Sequence, residues 1–389
     1  MGKKGPKVKP GLSTFVTHPQ DLKEFIKPLF IEAQSLVPQD EWADTPVYIK
    51  ATAGMRLVTE EQGRVIYDTI CAFLSSTPDV CPFNVNCANM KTIDGVEEGY
   101  FGALSANFLS GIIDKDRAIL HPGHGVLGAL DLGGSSTQVS IYAKSEGSAT
   151  AVQPQNFMVH SYLGYGVEKM AEKYLKWMGD NKIETDPCFP QGFQQRNGDY
   201  GTISGSGDYS KCKESLATAL GLANPCIDGG HTRCQLDGVR LPAVGPDDKF
   251  LAMSVYYFAL RSVLVALGKG GESIDFGSST TASPEKLKIM TWPSPSLVEL
   301  REAGRRFCSI PWTKMQALAQ DDALKWEDFM GDASQRTEEL PMRCRQTAYI
   351  DLLLGTVYGI PAEKHNVMVC TFPLSFSINN FLLYFKSFP

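Results

Sequence analysis

The chain has 389 residues, of which 43% are hydrophobic and 21% charged. This composition is ordinary for a globular protein and excludes a disordered or fibrous chain. The length exceeds what one compact core usually holds and predicts about two domains. Because the net charge is −6 at pH 7, no basic excess is available to displace counterions from a phosphate backbone, and we expect no nucleic-acid partner.

The hydrophobic periodicity and the turn residues predict a series of helices and strands. In the first half we expect a helix over 19–37 that is kinked or divided at Pro28, a strand over 46–50, and helices over 59–75 and 97–113. Two strands then flank the turn after Asp131. In the second half we expect helices over 166–178, 250–267, 297–307 and 345–354, a Gly/Asp/Cys-rich segment over 186–244 and a surface segment over 268–295. Strands alternating with long helical crossovers predict an α/β protein.

Residues 128–140, Gly-Ala-Leu-Asp-Leu-Gly-Gly-Ser-Ser-Thr-Gln-Val-Ser, carry the strongest functional signal. Gly133 and Gly134 permit a turn whose N–H groups form an anion-binding nest. Asp131 is the one acid in an otherwise apolar run, and a lone carboxylate beside such a nest is best explained by Mg²⁺ or Ca²⁺ held partly through water. An ordinary hairpin with a glycine-rich turn is the alternative. Three hydroxyls would add donors to the nest, those of Ser135, Ser136 and Thr137.

Two further segments supply a cationic side chain and a candidate general base, which this hairpin lacks. In 47–56 a strand delivers Thr52, a glycine and Arg56 to a helix start, where unpaired N–H groups favour anions. Arg56 could instead be solvated or salt-bridged. In 95–107 the acids Glu97 and Glu98 begin a helix of otherwise small or apolar residues, and an acid at such a place is a candidate general base. The alternative is that both acids complement the helix dipole.

The ten cysteines favour disulfides in an oxidising compartment, because several lie in polar, loop-like surroundings. No zinc-binding spacing is present. Cys226 and Cys234 flank a loop that contains His231, and we interpret this pair as a small disulfide loop in preference to a metal site. The chain shows neither the apolar segment of a signal peptide nor an Asn-x-Ser/Thr sequon, and a missing N-terminal segment would explain the first absence.

Taken together, these three segments resemble the apyrase family, the nucleoside triphosphate diphosphohydrolases. Residues 51–56 resemble the second apyrase motif, 95–107 the third and 131–138 the fourth, in the family's order. The similarity extends from Pro10 to about Glu363. Its further segments are 161–166, 186–189, 254–258, 307–312 and 344–355.

This resemblance implies a two-domain, actin-like (ribonuclease-H-like) α/β fold with the nucleotide in the cleft between the domains. It implies hydrolysis of nucleoside tri- or diphosphates by an activated water with Ca²⁺ or Mg²⁺. Glu98 would be the general base, Ser136 and Gln138 would orient the water, Thr52 would hold the nucleophile or phosphate side, and Asp131 would bind the metal through water.

The resemblance also assigns residues to the nucleotide. Gly133, Gly134 and Ser135 would bind phosphate, and we expect Thr137 and Arg56 to join them. Phe258 and Tyr349 fall near two aromatic positions that sandwich the base in the family, although an aromatic ring facing the core is the alternative for both.

The chain departs from the family pattern in three places. It has no counterpart of the first motif, an Asp-x-Gly-Ser-Ser hairpin, it has Ala103 where the family usually has tryptophan, and it lacks the family's Trp-x-Leu-Gly ending. We therefore expect an incomplete first domain over 1–94, a second domain over 95–365 and a divergent tail over 366–389, which is too interrupted to span a membrane.

The alternatives to an active hydrolase are a catalytically impaired nucleotide-binding fragment and, within the same superfamily, an exopolyphosphatase. By resemblance we expect the secretory pathway, in the Golgi lumen, at the cell surface or outside the cell, with membrane attachment open for a full-length form. We also expect Cys308 to pair with Cys344.

Overall fold

The computed structural model describes residues 10–120, 125–143, 150–222, 227–228, 231–232, 236–239, 241–242, 244–269, 290–324, 326, 330–370 and 382–383. The helices are α1 (Leu22–Leu36), α2 (Ala53–Arg56), α3 (Glu60–Ser76), α4 (Gly95–Leu109), α5 (Val167–Asp180), α6 (Tyr209–Ala219), α7 (Val255–Lys269), α8 (Leu297–Cys308), α9 (Trp312–Ala319), α10 (Ala333–Glu339) and α11 (Arg343–Asp351), which a π-helical turn continues to Val357. The strands are β1 (Pro46–Ala51), β2 (Asn84–Thr92), β3 (Gly128–Leu132), β4 (Ser136–Tyr142), β5 (Phe157–Leu163), β6 (Thr185–Asp186), β7 (Gln194–Arg196), β8 (Thr202–Gly205), β9 (Ile227–Asp228), β10 (His231–Thr232), β11 (Phe250–Ser254), β12 (Val367–Val369) and β13 (Leu382–Leu383).

A five-stranded sheet in the order β12-β11-β3-β4-β5 carries the predicted phosphate-binding turn. The β3–β4 and β4–β5 pairs are antiparallel, whereas β11 runs parallel to both β3 and β12. Alternate residues of β3 point into two different cores. Leu130 packs in the core beneath α7, and Ala129 packs in the core that contains Ala103 and Ala106 of α4. Both faces of the sheet are therefore covered, which is why β3 is buried at every position.

A second sheet has three strands in the order β13-β1-β2. β1 pairs parallel with β2, and its inward residues Val47 and Ile49 pack with apolar residues of α1 and α3 in a core of their own. α3 begins at a capping box, in which Thr59 accepts from the amide of Gln62 and the Gln62 side chain accepts from the amide of Thr59. Arg56 and Thr52 thus follow the strand of one sheet, whereas the turn after Asp131 belongs to the other.

Residues 367–369 lie within the segment that the sequence set apart as a divergent tail, and they form the edge strand β12 of the five-stranded sheet. Leu382 and Leu383 pair with β1 of the other sheet. The two sheets and their cores are compatible with the two predicted domains, while the boundaries at 94 and 365 stay predictions.

Most predicted elements are present with boundaries shifted by a few residues, including β1, α3, α4, α5, α8 and α11. The first helix is not divided at Pro28, since α1 runs through this residue. The prediction of one helix over 250–267 was wrong, because its first five residues form β11 in the middle of the sheet. A short apolar run fits a buried strand as well as a helix, and only pairing with β3 decides between them.

The predicted disulfide between Cys308 and Cys344 is present and joins α8 to α11. Two further disulfides link Cys71 to Cys87 and Cys188 to Cys212. Cys226 and Cys234 of the predicted disulfide loop lie outside the described residues, as do residues 270–289 of the surface segment predicted over 268–295. Among the described helices, none combines the length and the apolar character that crossing a membrane requires.

We predict that Gly99→Ala destabilises the fold and Gly102→Ala does not. A Cβ on Gly99 would lie 2.4 Å from Cγ1 of Val159 on β5, whereas on Gly102 the nearest atom is the flexible end of Met253 at 3.3 Å. We expect Gly99→Ala to lower the free energy of unfolding by about 1–3 kcal/mol, and Gly102→Ala to change it by less or to raise it through helix propensity. Urea unfolding of both variants measures this. Equal effects would show that α4 does not pack on β5 as described.

Candidate active site

The two acids at the start of α4 have different environments. Asp94 caps the helix by accepting from the amides of Val96 and Glu97. The Glu97 side chain is 30% exposed and pairs with Lys91 at 3.4 Å, whereas the Glu98 side chain is only 4% exposed. Glu97 therefore has the surface role that the helix-dipole alternative describes, and Glu98 is a buried carboxylate.

Two donors, one from Arg56 and one from Gln138, converge on the Glu98 carboxylate and on the hydroxyl of Ser136 beside it. Nη2 of Arg56 donates to Oε2 of Glu98 and, at 3.3 Å, to Oγ of Ser136. Nε2 of Gln138 lies 3.1 Å from the same carboxylate oxygen and 2.6 Å from Oγ of Ser136. The Arg56 side chain is 14% exposed, so it forms a largely buried ion pair instead of being solvated.

Strand geometry explains why Ser136 and Gln138 meet at one place. They are two residues apart on β4 and therefore point to the same face of the sheet. Thr137 points to the other face, where its hydroxyl donates to the backbone carbonyl of Asp131 at 2.8 Å and lies 3.2 Å from the hydroxyl of Tyr358. Our expectation that the Thr137 hydroxyl contacts phosphate is accordingly wrong, because the alternation of β4 buries it in the core.

Ser161 is a member of this cluster to which the sequence assigned no role. It lies directly opposite Gln138 in the β4–β5 pairing, and its Oγ is 2.8 Å from Nε2 of Gln138 and 3.3 Å from Nη1 of Arg56. The register of two strands brings these residues together. The similarity of residues 161–166 to the family drew attention to this segment but did not show the contact.

The absence of a side chain at Gly95 allows this approach. A Cβ there would lie 2.2 Å from Cβ of Ser161 and 2.5 Å from Nη1 of Arg56, closer than real Cβ contacts occur. The glycine therefore lets the first turn of α4 reach β5 and the guanidinium.

Burial controls the protonation of both acids in this region. It raises the pKa of Glu98 to about 8, an effect that Arg56 opposes and the charge of Asp131 reinforces. Burial also raises the pKa of Asp131 to about 6, while a hydrogen bond from Ser254 lowers it. Ser254 ends β11 with a φ of 60°, a conformation rare for a residue with a side chain, and nothing in the sequence signalled it.

In the glycine turn the carbonyls accept hydrogen bonds, whereas two of the amides have no acceptor among the described residues. The carbonyls of Gly133 and Gly134 accept from the first amides of α5, those of Val167 and Glu168, both at 2.9 Å. The amide of Gly133 donates to the carbonyl of Ser136 at 3.0 Å. Among the described residues, no acceptor is found for the amides of Gly134 and Ser135. These two N–H groups match the anion nest predicted from the sequence.

Asp131 fits a cation that has few protein ligands. Its Oδ1 is buried and has no hydrogen-bond partner in the part of the chain that the structure describes. A carboxylate oxygen of this kind is the ligand that Mg²⁺ and Ca²⁺ prefer. No cluster of three or more His, Cys, Asp or Glu suited to a metal occurs among the described residues, so water or ligand oxygens would complete the coordination.

The other predicted residues occupy different surroundings. Thr52 is buried directly after β1, and its carbonyl accepts from the amides of Met55 and Arg56. Phe258 on α7 is partly buried, with its ring 5.5 Å from that of Tyr257. Tyr349 is fully buried, and its hydroxyl donates to the carbonyl of Tyr165 at 2.7 Å. The structure thus favours the core-facing alternative for Tyr349, because no face of its ring is open to a base.

Comparison with known proteins shows the family to which the chain belongs. The model of the GDA1/CD39 (nucleoside phosphatase) family matches residues 3–371. The chain is 29% identical over 368 residues to the Golgi apyrase of Saccharomyces cerevisiae, covering 84% of this chain and 53% of that protein. It is 24% identical over 377 residues to nucleoside-triphosphatase ntp-1 of Caenorhabditis elegans, covering 92% of this chain and 61% of that protein. The chain thus spans between half and two thirds of the length of these relatives.

The fold is shared with a solved structure. The crystal structure of nucleoside triphosphate hydrolases from Neospora caninum matches 92% of this chain and 73% of that chain, with a TM-score of 0.52 and 14% identity. At this identity the likeness shows the fold alone. It confirms the α/β, actin-like architecture that the resemblance implied.

We predict that Glu98 makes the protein less stable as the pH rises. Because the pKa of Glu98 is about 8 in the folded protein and near its ordinary 4.5 after unfolding, the folded state holds the proton more tightly between these values. Stability is fully retained below pH 4.5 and is lost toward pH 8. The stability of Glu98→Gln relative to the unsubstituted protein should therefore increase by up to about 1.4 kcal/mol per pH unit in this interval.

Urea unfolding at several pH values measures this difference, with Glu97→Gln as the matched control. The test is the change of this stability difference with pH. A difference that is the same at every pH would also arise because Glu98→Gln replaces the ion-pair partner of Arg56. Parallel curves for Glu98→Gln and the unsubstituted protein would contradict the raised pKa.

Proposed function

Since the chain belongs to the GDA1/CD39 (nucleoside phosphatase) family, we propose that it hydrolyses nucleoside tri- or diphosphates to lower phosphates and orthophosphate. The observation that carries this proposal is the buried Glu98 carboxylate, which faces Ser136 and Gln138 on β4. This strand leaves the turn whose Gly134 and Ser135 amides have no acceptor among the described residues. A candidate base, water-orienting groups and an anion nest are the parts that phosphoryl transfer to water requires.

Glu98 accepts a proton from the attacking water in this proposal. A base is most effective when its pKa is near the working pH, and burial brings the pKa of Glu98 to about 8. Gln138 and Ser136 hold the water beside this carboxylate, and the amides of Gly134 and Ser135 bind oxygens of the terminal phosphate. Positioning and charge neutralisation supply most of the rate, because little covalent chemistry is demanded of the protein.

Arg56 has two possible partners in this scheme. Without substrate its guanidinium pairs with Glu98 and contacts Ser136. A bound terminal phosphate offers more negative charge than one carboxylate and competes for the same donors. Substrate would then draw the guanidinium toward the phosphate and leave Glu98 with Gln138. The proposed phosphate-binding role of Arg56 and its observed ion pair are therefore compatible.

Asp131 would hold a divalent cation, Mg²⁺ or Ca²⁺, through water bound to the buried oxygen that lacks a partner among the described residues. Such an ion would neutralise charge on the phosphate chain. The hydrogen bond from Ser254 lowers the pKa of Asp131 and so stabilises the ionised carboxylate that a cation requires.

We further propose the secretory pathway as the location of the protein. Its three described disulfides are typical of oxidising compartments, and one relative is named a Golgi apyrase. Membrane attachment is left open by this proposal.

The direct test of the function is release of phosphate from ATP and ADP in the presence of Mg²⁺ or Ca²⁺. We predict that Glu98→Gln lowers kcat by about 10² to 10⁴ because it removes the base. Glu97→Gln should retain most of the activity, since its side chain is partly exposed and pairs with Lys91. Nucleotide binding without phosphate release in the unsubstituted protein would favour the non-catalytic alternative. Equal rates in Glu98→Gln and Glu97→Gln would remove Glu98 from the mechanism.

Asp131→Asn should weaken the cation requirement specifically. We expect the Mg²⁺ concentration for half-maximal phosphate release to rise by about 10- to 100-fold, as for other groups that hold a metal through water. Asp68→Asn on the exposed side of α3 serves as the control and should leave the Mg²⁺ curve unchanged. An unchanged curve for Asp131→Asn would place the cation elsewhere.

A further inference from the structure

The side-chain amide of Gln138 has more acceptors around it than hydrogens. It has two N–H hydrogens, yet its nitrogen lies 3.1 Å from Oε2 of Glu98, 2.6 Å from Oγ of Ser136 and 2.8 Å from Oγ of Ser161. An amide nitrogen cannot accept a hydrogen bond, so both hydroxyl oxygens are acceptors toward it. The three oxygens together define which way the amide faces, because its nitrogen must be turned toward them.

Ser161 also contacts the second group that holds Glu98. Nη1 of Arg56 donates to its Oγ at 3.3 Å, while Nη2 of the same guanidinium pairs with Glu98. One hydroxyl thus links the amide and the guanidinium behind the carboxylate. Among the described residues, no hydrogen bond joins Ser161 to Glu98 itself.

We propose that Ser161 is a positioning residue of this site, which fixes Gln138 and Arg56 in the orientation that presents their N–H groups to Glu98. The proposal rests on the proposed function for its catalytic consequence, while the geometry that it explains is independent of turnover. Its own hydroxyl hydrogen has no protein acceptor among the described residues and stays available to a water molecule of the site.

The place of Ser161 allows few other side chains. It lies opposite Gln138 in the β4–β5 register, and the start of α4 at Gly95 packs directly against its Cβ. A larger residue would push α4 and Glu98 away from the sheet. A smaller residue without an acceptor would leave the amide nitrogen of Gln138 held only by Glu98 and Ser136 and would release one nitrogen of Arg56.

The first experiment follows the side-chain amide of Gln138 in ¹⁵N-labelled protein, with its signals identified by their loss in Gln138→Met. In the unsubstituted protein we expect slow hydrogen exchange. Ser161→Ala should accelerate this exchange by about tenfold or more, since one hydrogen bond of roughly 1.5 kcal/mol is lost. Unchanged exchange in Ser161→Ala would overturn the proposal whether or not the protein turns over nucleotide.

Two variants separate positioning from packing. Ser161→Cys keeps a side chain of the same shape with one slightly larger atom, but it accepts hydrogen bonds weakly, so its exchange rate should approach that of Ser161→Ala. A space-filling role predicts instead that Ser161→Cys equals the unsubstituted protein. Ser140→Ala removes another buried hydroxyl bond, from Ser140 to the carbonyl of Gly99 on α4, and it should lower stability without changing the Gln138 signals.

The second experiment measures phosphate release from ATP by the same variants. Ser161→Ala should lower kcat by about 10- to 100-fold and change KM by less than it changes kcat, because Ser161 orients the water-binding Gln138 and reaches the nucleotide only through Arg56. A change confined to KM would contradict the positioning role. If the unsubstituted protein releases no phosphate, the proposed function fails, and the Gln138 exchange alone decides the role of Ser161.

Discussion

The burial of the Glu98 carboxyl group is the constraint on which the rest of this site depends. A carboxylate removed from water is stable only when it is paired and hydrogen-bonded. Here the partners come from separate parts of the chain, Arg56 from the segment after β1 and Gln138 from β4. Gly95 is needed because a Cβ would occupy the space where these groups meet. The charge of one side chain therefore ties the two sheets of the molecule together at the candidate site.

The same constraint relates the two acids of the site. Burial raises the pKa values of Glu98 and Asp131, and the charge of Asp131 acts on Glu98 in the same direction. A cation at Asp131 would relieve this repulsion and favour ionised Glu98, which is the form that accepts a proton. Two buried acids destabilise each other without a cation, and binding of a metal-bound phosphate chain would remove this repulsion and ionise the base. It also explains why the neighbouring side chains supply hydrogen-bond donors and hydroxyls instead of apolar packing.

The sequence predicted the features that short segments encode. The Gly-Gly turn after Asp131, the buried acid at the start of α4 and the arginine before α3 each have a local signature, and the family resemblance supplied their order along the chain. The alternation of β4 excludes the Thr137 hydroxyl from the ligand side, but the sequence pattern begins this strand only at Gln138 and places Thr137 in the turn. The position of the Tyr349 ring in the core could not be predicted, because it depends on how deeply α11 is buried.

Other features depend on contacts between distant segments. β11 was mistaken for the first turn of a helix because its partner β3 precedes it by more than one hundred residues. β2 was missed because its sequence is polar and most of its residues are exposed. The role of Ser161 depends on strand register, and that of Ser254 on an unusual backbone angle. The residues next to them in the sequence predict neither feature.

The most direct test of the account is a crystal structure of the protein with Mg²⁺ and a non-hydrolysable ATP analogue. The account predicts the terminal phosphate at the amides of Gly134 and Ser135, the cation beside Asp131, and a water between the phosphorus and the Glu98 carboxylate. A terminal phosphate bound away from this turn, or a Glu98 carboxylate still sealed behind Arg56 with no room for water, would contradict it.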